Sequence, residues 1–371
     1  MLTRHHDLPA LTPGSAHSIV VQSFGAEGAR PEAYIQASLH ADEIPGMICA
    51  VHLRERLLEL ETAGQIHGRV NLVPVANPLG LGQVVFGHAM GRFALGDGVN
   101  FNRDYPHLTP GVAGRVEGKL GSDAAANVRL IRQAIADEVA ALAPATQVGA
   151  LKKLLVSLAA GADLVLDLHC DSEGALHLYT QPTSAELFAV LGAFLDSRAT
   201  LTAVESGGDP FDEVFSRPWV ELRAQFPDHP IPLASHSVTV ELRGQADVGH
   251  TTGRADAEAI VAFLCHQGVI GGTPRPVPDS AASITPLASA EPVTAPVAGI
   301  VAFHVDAGAV VTAGDPIADI IDPISGVITV VKAQSDGVLF ARGANRFTTA
   351  GKRLGKIAGT TLNRSGKLLS L

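Results

Sequence analysis

The stretch Ser38-Leu39-His40-Ala41-Asp42-Glu43-Ile44-Pro45-Gly46 follows an apolar run and precedes a helical pattern. A histidine that closes a strand and a carboxylate three residues later, in the turn that opens a helix, can converge on one metal ion. His40 and Glu43 are therefore candidate zinc ligands. The same spacing also fits a surface turn with a carboxylate at a helix start, so the assignment depends on residues further along the chain.

Strands and helices alternate around this stretch. The pattern predicts strands over residues 17–23, 32–39, 68–75, 163–169, 175–179, 199–205 and 237–242, and helices over residues 43–60, 122–142, 146–158, 185–195 and 255–266. Such interleaving is typical of an α/β fold whose mixed sheet is covered by helices on both faces. Residues 85–116, rich in Gly, Asn, Asp and Pro, predict a long irregular loop of the kind that often carries function.

The composition changes near residue 272. Residues 272–292 contain five prolines among Ser, Ala and Thr and predict a linker. We therefore expect a catalytic domain over residues 1–271 and an all-β domain over residues 293–371.

The segment after the linker repeats itself. Gly299-Ile-Val-Ala-Phe is followed by Thr312-Ala-Gly, and Gly337-Val-Leu-Phe is followed by Thr349-Ala-Gly. Two copies of one β unit predict a small barrel with a pseudo-twofold axis, and it resembles the barrel-sandwich hybrid of biotinyl and lipoyl domains. Residues 321–326, at the hairpin between the halves, contain no lysine, which disfavours covalent lipoylation or biotinylation and favours a structural or lid role.

Composition excludes several classes of protein. The 371 residues carry 27 Lys plus Arg against 37 Asp plus Glu, a formal net charge of −10 without long single-sign blocks, which disfavours a nucleic-acid partner. Three widely spaced cysteines argue against a disulfide framework. The sequence shows no secretory h-region and no uncharged apolar run of about 18 residues. We therefore expect a soluble cytoplasmic protein without a membrane partner.

His169 is the candidate third ligand. It ends the apolar strand at residues 163–169, and α/β sheets place ligands at strand ends. Asp167 shares one face of that strand and is suited to orienting the imidazole. The alternatives are a core histidine for His169 and a helix cap or a buried ion pair for Asp167. Two histidines and one carboxylate leave the fourth position of a tetrahedral zinc open, as in catalytic sites.

Glu241 is the candidate general base. It ends the β-branched strand Ser237-Val238-Thr239-Val240, where a charged side chain is energetically unfavourable unless it has a function. Hydrolysis needs a base that takes a proton from water, and a carboxylate can do this. The alternative is a salt bridge with Arg243.

The loop at residues 85–116 contributes candidate substrate-binding residues. Asn102 and Arg103 offer donors suited to a carboxylate, the arginine bidentately. Arg92 is a candidate catalytic cation that polarises the scissile carbonyl or holds its oxyanion. An ordinary surface role stays open for both arginines.

Four stretches occur in one order: His40-x-x-Glu43, Asn102-Arg103, Asp167-Leu168-His169 and Val240-Glu241-Leu242-Arg243. In this order the chain resembles the succinylglutamate desuccinylase and aspartoacylase family, a branch of the zinc carboxypeptidase superfamily. The match covers roughly residues 30–265. The resemblance implies a zinc-carboxypeptidase-like domain followed by a β-rich domain.

The resemblance also implies roles for single residues. It implies His40, Glu43 and His169 as zinc ligands, Glu241 as base and proton shuttle, Asn102 and Arg103 as the clamp on a substrate carboxylate, and Arg92 as a catalytic cation. The sequence differs from the family pattern in two respects. Ser38 and Ala41 replace glycines of the family motif, and the chain has no late tyrosine, only Tyr34, Tyr105 and Tyr179, so substrate capture differs in detail.

The leading hypothesis is a zinc-dependent amidohydrolase, with one Zn²⁺ per chain, that deacylates an N-acyl amino acid or a related small amide. Its partner is a small N-acylated molecule with a carboxylate, and a homo-oligomer stays open. The alternative is a metallocarboxypeptidase that acts on short peptides. A third hypothesis is a non-enzymatic binding protein that has kept the fold, against which the complete ligand set argues.

Overall fold

The computed structural model describes residues 1–280, 282–361, 366 and 368. Its α-helices are α1 (Pro45–Thr62), α2 (Pro78–Leu81), α3 (Thr109–Val116), α4 (Ala124–Ala141), α5 (Gln147–Ala159), α6 (Ala185–Phe194), α7 (Glu213–Gln225) and α8 (His250–His266). Short 3-10 helices lie at Pro182–Ser184 and Leu287–Ser289. Within the described ranges no helix combines the length and apolarity that crossing a bilayer requires.

The strands fall into a large first set and a C-terminal set. The first set is β1 (Leu2–Asp7), β2 (Ser18–Phe24), β3 (Glu32–Ala37), β4 (Arg69–Val73), β5 (Val84–Val85), β6 (His88–Ala89), β7 (Leu164–Asp171), β8 (Glu173–Gly174), β9 (His177–Thr180), β10 (Ala199–Thr202), β11 (His236–Gly244) and β12 (Ser283–Pro286). The second set is β13 (Ala290–Thr294), β14 (Gly299–Phe303), β15 (Val310–Val311), β16 (Pro316–Ile321), β17 (Ile328–Lys332), β18 (Gly337–Arg342), β19 (Phe347–Thr348) and β20 (Arg353–Gly359).

Nine strands form one mixed sheet in the order β1-β2-β4-β3-β7-β11-β9-β10-β12. Its centre is parallel, because β3 pairs with β4 and β7, and β7 pairs with β11, all in the same direction. The edge strands β1 and β2 and the β9–β11 pair are antiparallel. The predicted α/β fold with a mixed sheet is therefore confirmed.

Two apolar clusters cover the faces of this sheet. Side chains alternate between faces along a strand, so Tyr34 joins one cluster while its neighbour Ile35 joins the other. The Tyr34 cluster includes residues of α3, α4, α5 and α7. The Ile35 cluster includes residues of α1, α6 and α8. Burial on both faces explains why β7 begins with three consecutive apolar residues, 164–166.

The carboxyl ends of the central parallel strands meet at one edge of the sheet. Ala37 at the end of β3 pairs with Leu168 of β7, and His169 pairs with Glu241 of β11. The chain after β3 turns through His40 and Glu43 into α1, which has Pro45 in its first turn. This edge therefore gathers the residues that the sequence singled out.

The C-terminal strands form two small sheets around their own apolar core. The orders are β13-β20-β18-β15 and β17-β16-β14-β19, and the core includes Val301, Ile320 and Ile357. The glycine that begins each of the two sequence repeats has the same physical cause. A Cβ on Gly299 would lie 2.5 Å from the Ile321 carbonyl oxygen, and one on Gly337 would lie 2.2 Å from that of Ala358. Each repeat begins with glycine because the backbone of its partner strand leaves no room for a side chain.

The C-terminal sheets are attached to the large sheet through backbone hydrogen bonds. β8 of the first set pairs with β18, so that Gly174 lies opposite Ala341. The Ala175 N–H also donates to the Phe340 carbonyl oxygen at 2.9 Å. An apolar cluster that contains Leu201 and Phe340 lies across the same junction.

Three expectations differ from the structure. Residues 272–292, predicted as a linker, contain β12, a 3-10 helix and the start of β13 among the described residues, because β12 pairs with β10 as the edge strand of the large sheet. Residues 85–116, predicted as irregular, contain the β5–β6 hairpin and α3. α7 was not predicted, because Pro218 inside it breaks the helical pattern.

Candidate active site

The turn after β3 has a backbone conformation that glycine usually adopts. Ser38 has φ 67°, in the left-handed region, and is fully buried. Serine thus keeps the turn in a conformation that costs on the order of 1 kcal/mol for a residue with a side chain. The Ala41 N–H donates to the Gly91 carbonyl oxygen at 3.0 Å, which holds the following loop, with Arg92, against the turn.

His40 presents Nδ1 to the cleft. Its Nε2 lies 2.9 Å from Asn100 Oδ1, which also accepts the Asn102 backbone N–H at 2.8 Å. Because that oxygen is an acceptor, the imidazole carries its proton on Nε2, and Nδ1 has a free lone pair 2.9 Å from Glu43 Oε1. Burial holds the pKa of His40 below its ordinary value despite the neighbouring Glu43, so the ring is neutral.

His169 has the same orientation, with Nδ1 toward the cleft. Its Nε2 lies 2.8 Å from Asp167 Oδ2, and its Nδ1 lies 2.7 Å from Glu43 Oε2. Asp167 is itself held by Gln36 Nε2, which donates to Oδ1 at 2.9 Å. Burial acts to lower the pKa of His169, but the carboxylates of Asp167 and Glu43 outweigh it and raise that pKa well above its ordinary value. Negative charge therefore surrounds this ring on both sides.

The three side chains are suited to a divalent cation. Ligand atoms of His40, Glu43 and His169 lie within 4.8 Å of one another, and all three residues are buried. Burial acts to raise the pKa of Glu43, but the two imidazoles outweigh it and hold that pKa well below its ordinary value, so the carboxylate is ionised. Two imidazole nitrogens and one carboxylate, with the outer nitrogens fixed by Asn100 and Asp167, form a donor set that fits zinc.

Glu241 lies beside this group on β11. It is the register partner of His169, it faces the cleft, and its Oε2 is a buried atom without a hydrogen-bond partner in the described part of the chain. Burial, followed by the charges of Asp171 and Glu43, raises the pKa of Glu241 to about 8. The alternative salt bridge is absent from the described contacts, since Arg243 pairs with Asp256.

The predicted binding residues lie on the facing loop. Arg92 Nη1 lies 3.3 Å from Glu43 Oε1 and 3.2 Å from His40 Nδ1. Arg103 lines the same cleft, and its Nη1 donates to the Asn102 carbonyl oxygen at 2.6 Å. Asn102 Oδ1 accepts the Phe211 backbone N–H at 2.8 Å. The structure therefore brings all seven predicted site residues into one cleft, with Arg92 against the candidate ligands.

The cleft has a volume of about 860 Å³ and two walls. One wall is the carboxyl edge of the large sheet, and the other belongs to the C-terminal sheets, which contribute Phe303, Asn345, Lys352, Arg353 and Lys356. Sequence reasoning missed these residues, because no motif marks them. It also missed Asn100, which stands two residues before the predicted Asn102 in an irregular segment without periodicity.

The comparisons with known proteins agree with this geometry. A family model described as the succinylglutamate desuccinylase/aspartoacylase catalytic domain matches residues 29–267. A solved structure of a succinylglutamate desuccinylase/aspartoacylase family protein from Shewanella amazonensis is 28% identical, with a TM-score of 0.85, covering 96% of this chain and 98% of that chain. A solved structure of a succinylglutamate desuccinylase/aspartoacylase from Shewanella frigidimarina is 26% identical, with a TM-score of 0.83, covering 96% of this chain and 97% of that chain.

A more distant structure has the same fold. The product-bound ectoine utilization protein EutE (DoeB) from Ruegeria pomeroyi is 18% identical, with a TM-score of 0.67, covering 97% of this chain and 95% of that chain. No curated protein sequence matches the chain.

Proposed function

Because the chain belongs to the succinylglutamate desuccinylase/aspartoacylase family, we propose that it is a zinc-dependent amidohydrolase that removes the acyl group from an N-acyl amino acid or a related small amide. The family model confirms the resemblance found in the sequence. One observation carries the proposal. The acceptor atoms of His40, Glu43 and His169 converge beside Glu241, whose buried carboxylate oxygen has no described hydrogen-bond partner.

The metal would be held by His40 Nδ1, Glu43 and His169 Nδ1, one ion per chain. A bound Zn²⁺ supplies Lewis acidity, which lowers the pKa of water and polarises an amide carbonyl. Asn100 and Asp167 fix the two rings so that both Nδ1 atoms face Glu43. The raised pKa of His169 has its cause in the flanking carboxylates, and a cation would balance that same negative charge.

Glu241 would carry the proton in this reaction. Its carboxylate accepts a proton from water as the water oxygen bonds to the acyl carbon, and it returns that proton to the amide nitrogen as the carbon–nitrogen bond breaks. The products are a carboxylate and an amine. The buried, unpaired Oε2 supports this role, because no hydrogen bond to a described residue has to be broken before it accepts the proton.

Arg92, Arg103 and Asn102 would hold the substrate. Arg92 stands against His40 and Glu43, where it can stabilise negative charge that develops on the carbonyl oxygen. Arg103, partly fixed by its bond to the Asn102 carbonyl, can bind the carboxylate of the amino acid. Burial and the nearby Arg92 lower the pKa of Arg103, which leaves it a cation at neutral pH.

The wall formed by the C-terminal sheets supports a small substrate. Phe303, Asn345 and Arg353 face the cleft from that side, so the space for a long chain beyond the metal site is restricted. A metallocarboxypeptidase acting on short peptides would use the same ligands and base, and it stands as the alternative outcome. The three cysteines of the chain are free thiols, which supports the proposed cytoplasmic location.

The test is an assay of purified protein with a panel of N-acyl amino acids beside short peptides, before and after removal of metal by a chelator. We expect hydrolysis of an N-acyl amino acid, loss of that activity on chelation and its recovery with zinc. Faster hydrolysis of the peptides would replace the proposal by the carboxypeptidase. Protein that takes up no zinc and hydrolyses neither class would favour a non-enzymatic binding role.

A further inference from the structure

A second cluster of ionisable side chains lies beside the proposed metal ligands. Asp171 on β7, His177 on β9 and Glu241 on β11 have ligand atoms within 4.8 Å of one another. The fully buried His177 places Nδ1 2.8 Å from the Ala175 carbonyl oxygen, so it donates that proton and keeps a lone pair on Nε2.

The cluster contains acceptors that face one another. His177 Nε2 has no described hydrogen-bond partner, and the Asp171 Oδ2 atom lies 3.6 Å away. Glu241 Oε2 is also without a partner among the described residues. Burial lowers the pKa of His177 to about 4, so the ring stays neutral and does not balance the carboxylates. Two half-buried carboxylates beside a neutral imidazole are stabilised by a positive charge from elsewhere.

Lys356 from β20 of the C-terminal sheets supplies that charge. Its Nζ lies 3.0 Å from Asp171 Oδ2 and 3.4 Å from Oδ1. The ammonium also lies 5.5 Å from the centroid of the Phe340 ring, which in turn contacts His177 at 4.7 Å.

The backbone fixes Lys356 at this place. β18, the neighbour of β20, pairs with β8, which lies between Asp171 and His177 in the chain. Arg342 Nε also donates to Glu173 Oε2 at 2.6 Å across the same junction. Lys356 therefore reaches the active-site edge from a strand whose neighbour, β18, is hydrogen-bonded to β8, and its position does not depend on its own flexible side chain alone.

We propose that Lys356 is a positioning residue of the active site, through which the C-terminal sheets hold Asp171 and keep the Glu241 carboxylate directed into the cleft. This inference rests on the proposed function for the role of Glu241. Without the ammonium, the Asp171 carboxylate loses its ion-pair partner. It then repels Glu241 whenever Glu241 is ionised as the base, and Glu241 moves from the place where it meets water. A divalent cation in the second cluster is the competing account, and the ammonium on Asp171 argues against it.

The first experiment compares turnover of the wild type, K356M, K356R, D171N and the double variant D171N/K356M, with K332M as the matched control, because the exposed Lys332 lies on β17 of the C-terminal sheets and does not line the cleft. We expect K356M to lower kcat about 10- to 100-fold with little change in KM, because the base is misplaced while the substrate contacts remain. K356R should recover part of the rate. The double variant should exceed K356M, because removing both charges removes the repulsion. K332M should keep most of the wild-type rate.

Three results would overturn the inference. A loss in K356M that appears in KM and is not relieved by D171N would make Lys356 a substrate contact. Wild-type turnover in K356M would remove it from the site. Two zinc ions per chain in the wild-type protein, one of them lost in H177A, would assign the second cluster to a metal.

The second experiment does not depend on turnover. Denaturant unfolding of the wild type, K356M, D171N and D171N/K356M forms a double-mutant cycle for Lys356 and Asp171, and the account predicts a favourable coupling between them. Additive effects would contradict the contact. If the wild-type protein hydrolyses no N-acyl amino acid or peptide, the proposed function fails, whereas this cycle and the zinc count still decide whether Lys356 neutralises Asp171.

Discussion

Two groups of three side chains lie side by side at the carboxyl edge of the sheet, and they differ in where their positive charge comes from. The first triad, His40, Glu43 and His169, turns both Nδ1 atoms inward, and Arg92 is the cation that contacts its edge among the described residues. The second triad, Asp171, His177 and Glu241, has the Lys356 ammonium at 3.0 Å from Asp171. The first triad is suited to binding a metal cation, whereas the second is already neutralised by the ammonium of Lys356.

The difference assigns separate tasks to neighbouring carboxylates. Glu43 lies between two imidazoles that hold its pKa well below the ordinary value, so it stays ionised as a ligand should. Glu241 is half-buried, with its Oε2 atom fully buried, and desolvation together with the charges of Asp171 and Glu43 raises its pKa to about 8. A carboxylate with a raised pKa is suited to accept and return a proton near neutral pH. Environment, and not residue type, separates the proposed ligand from the proposed base.

The largest expected effect is that of replacing Glu241, the proposed general base, which belongs to the second triad. E241Q removes the proton acceptor and keeps the side-chain size, so kcat for the best N-acyl amino acid should fall about 10³- to 10⁴-fold, while zinc content stays at the wild-type value. Steady-state kinetics and metal analysis of the same sample measure both. The matched control is E213Q, a buried carboxylate that lines the same cleft and accepts from Ser206. Near wild-type rates in E241Q would show that another group is the base.

A smaller effect is expected from replacing Asp167, which contacts the first triad but does not belong to it. D167N leaves the ligands in place but removes the charge that orients His169 Nε2 at 2.8 Å. Zinc affinity, measured by competition with a chelator, should fall about 10- to 100-fold. D163N is the control, because Asp163 pairs with Arg30 and Arg132 just before the same strand begins. Equal zinc affinities for D167N and D163N would show that Asp167 does not support the metal site.

The smallest effect is a pH dependence of stability in metal-free protein. The raised pKa of Glu241 means that the folded state keeps its proton between the ordinary value of 4.5 and about 8, where the unfolded chain has lost it. The unfolding free energy contributed by this group therefore falls as pH rises through that window and is fully present below pH 4.5. Denaturant unfolding at several pH values should show a steeper decline for the wild type than for E241Q. Identical pH slopes would contradict the raised pKa.

The first triad could be predicted because strand ends and short spacings mark it. His40 and His169 each follow an apolar strand, and parallel strands bring their carboxyl ends to one edge. Glu241 could be predicted for the same reason, as the end of a β-branched run. The prediction of such residues needs only the local sequence pattern and one general rule of sheet topology.

The second triad depends on contacts that no local pattern records. His177 reads as an ordinary strand residue, and its lone pair is fixed by the carbonyl of Ala175, two residues away. Lys356 is 185 residues from Asp171 in the chain and reaches it only because β8 pairs with β18. Asn100 is likewise placed by the fold of an irregular segment. The β12 strand was missed because proline-rich composition predicts a linker, whereas pairing with β10 decides the structure.

The central claim is that the first triad, and not the second, holds the metal. The direct measurement is the zinc content, by mass spectrometry of elements, of wild-type protein, H169A and H177A purified without added metal. The account predicts one zinc ion per chain in the wild type and in H177A, and close to none in H169A. Zinc that persists in H169A, or that disappears in H177A, would contradict it.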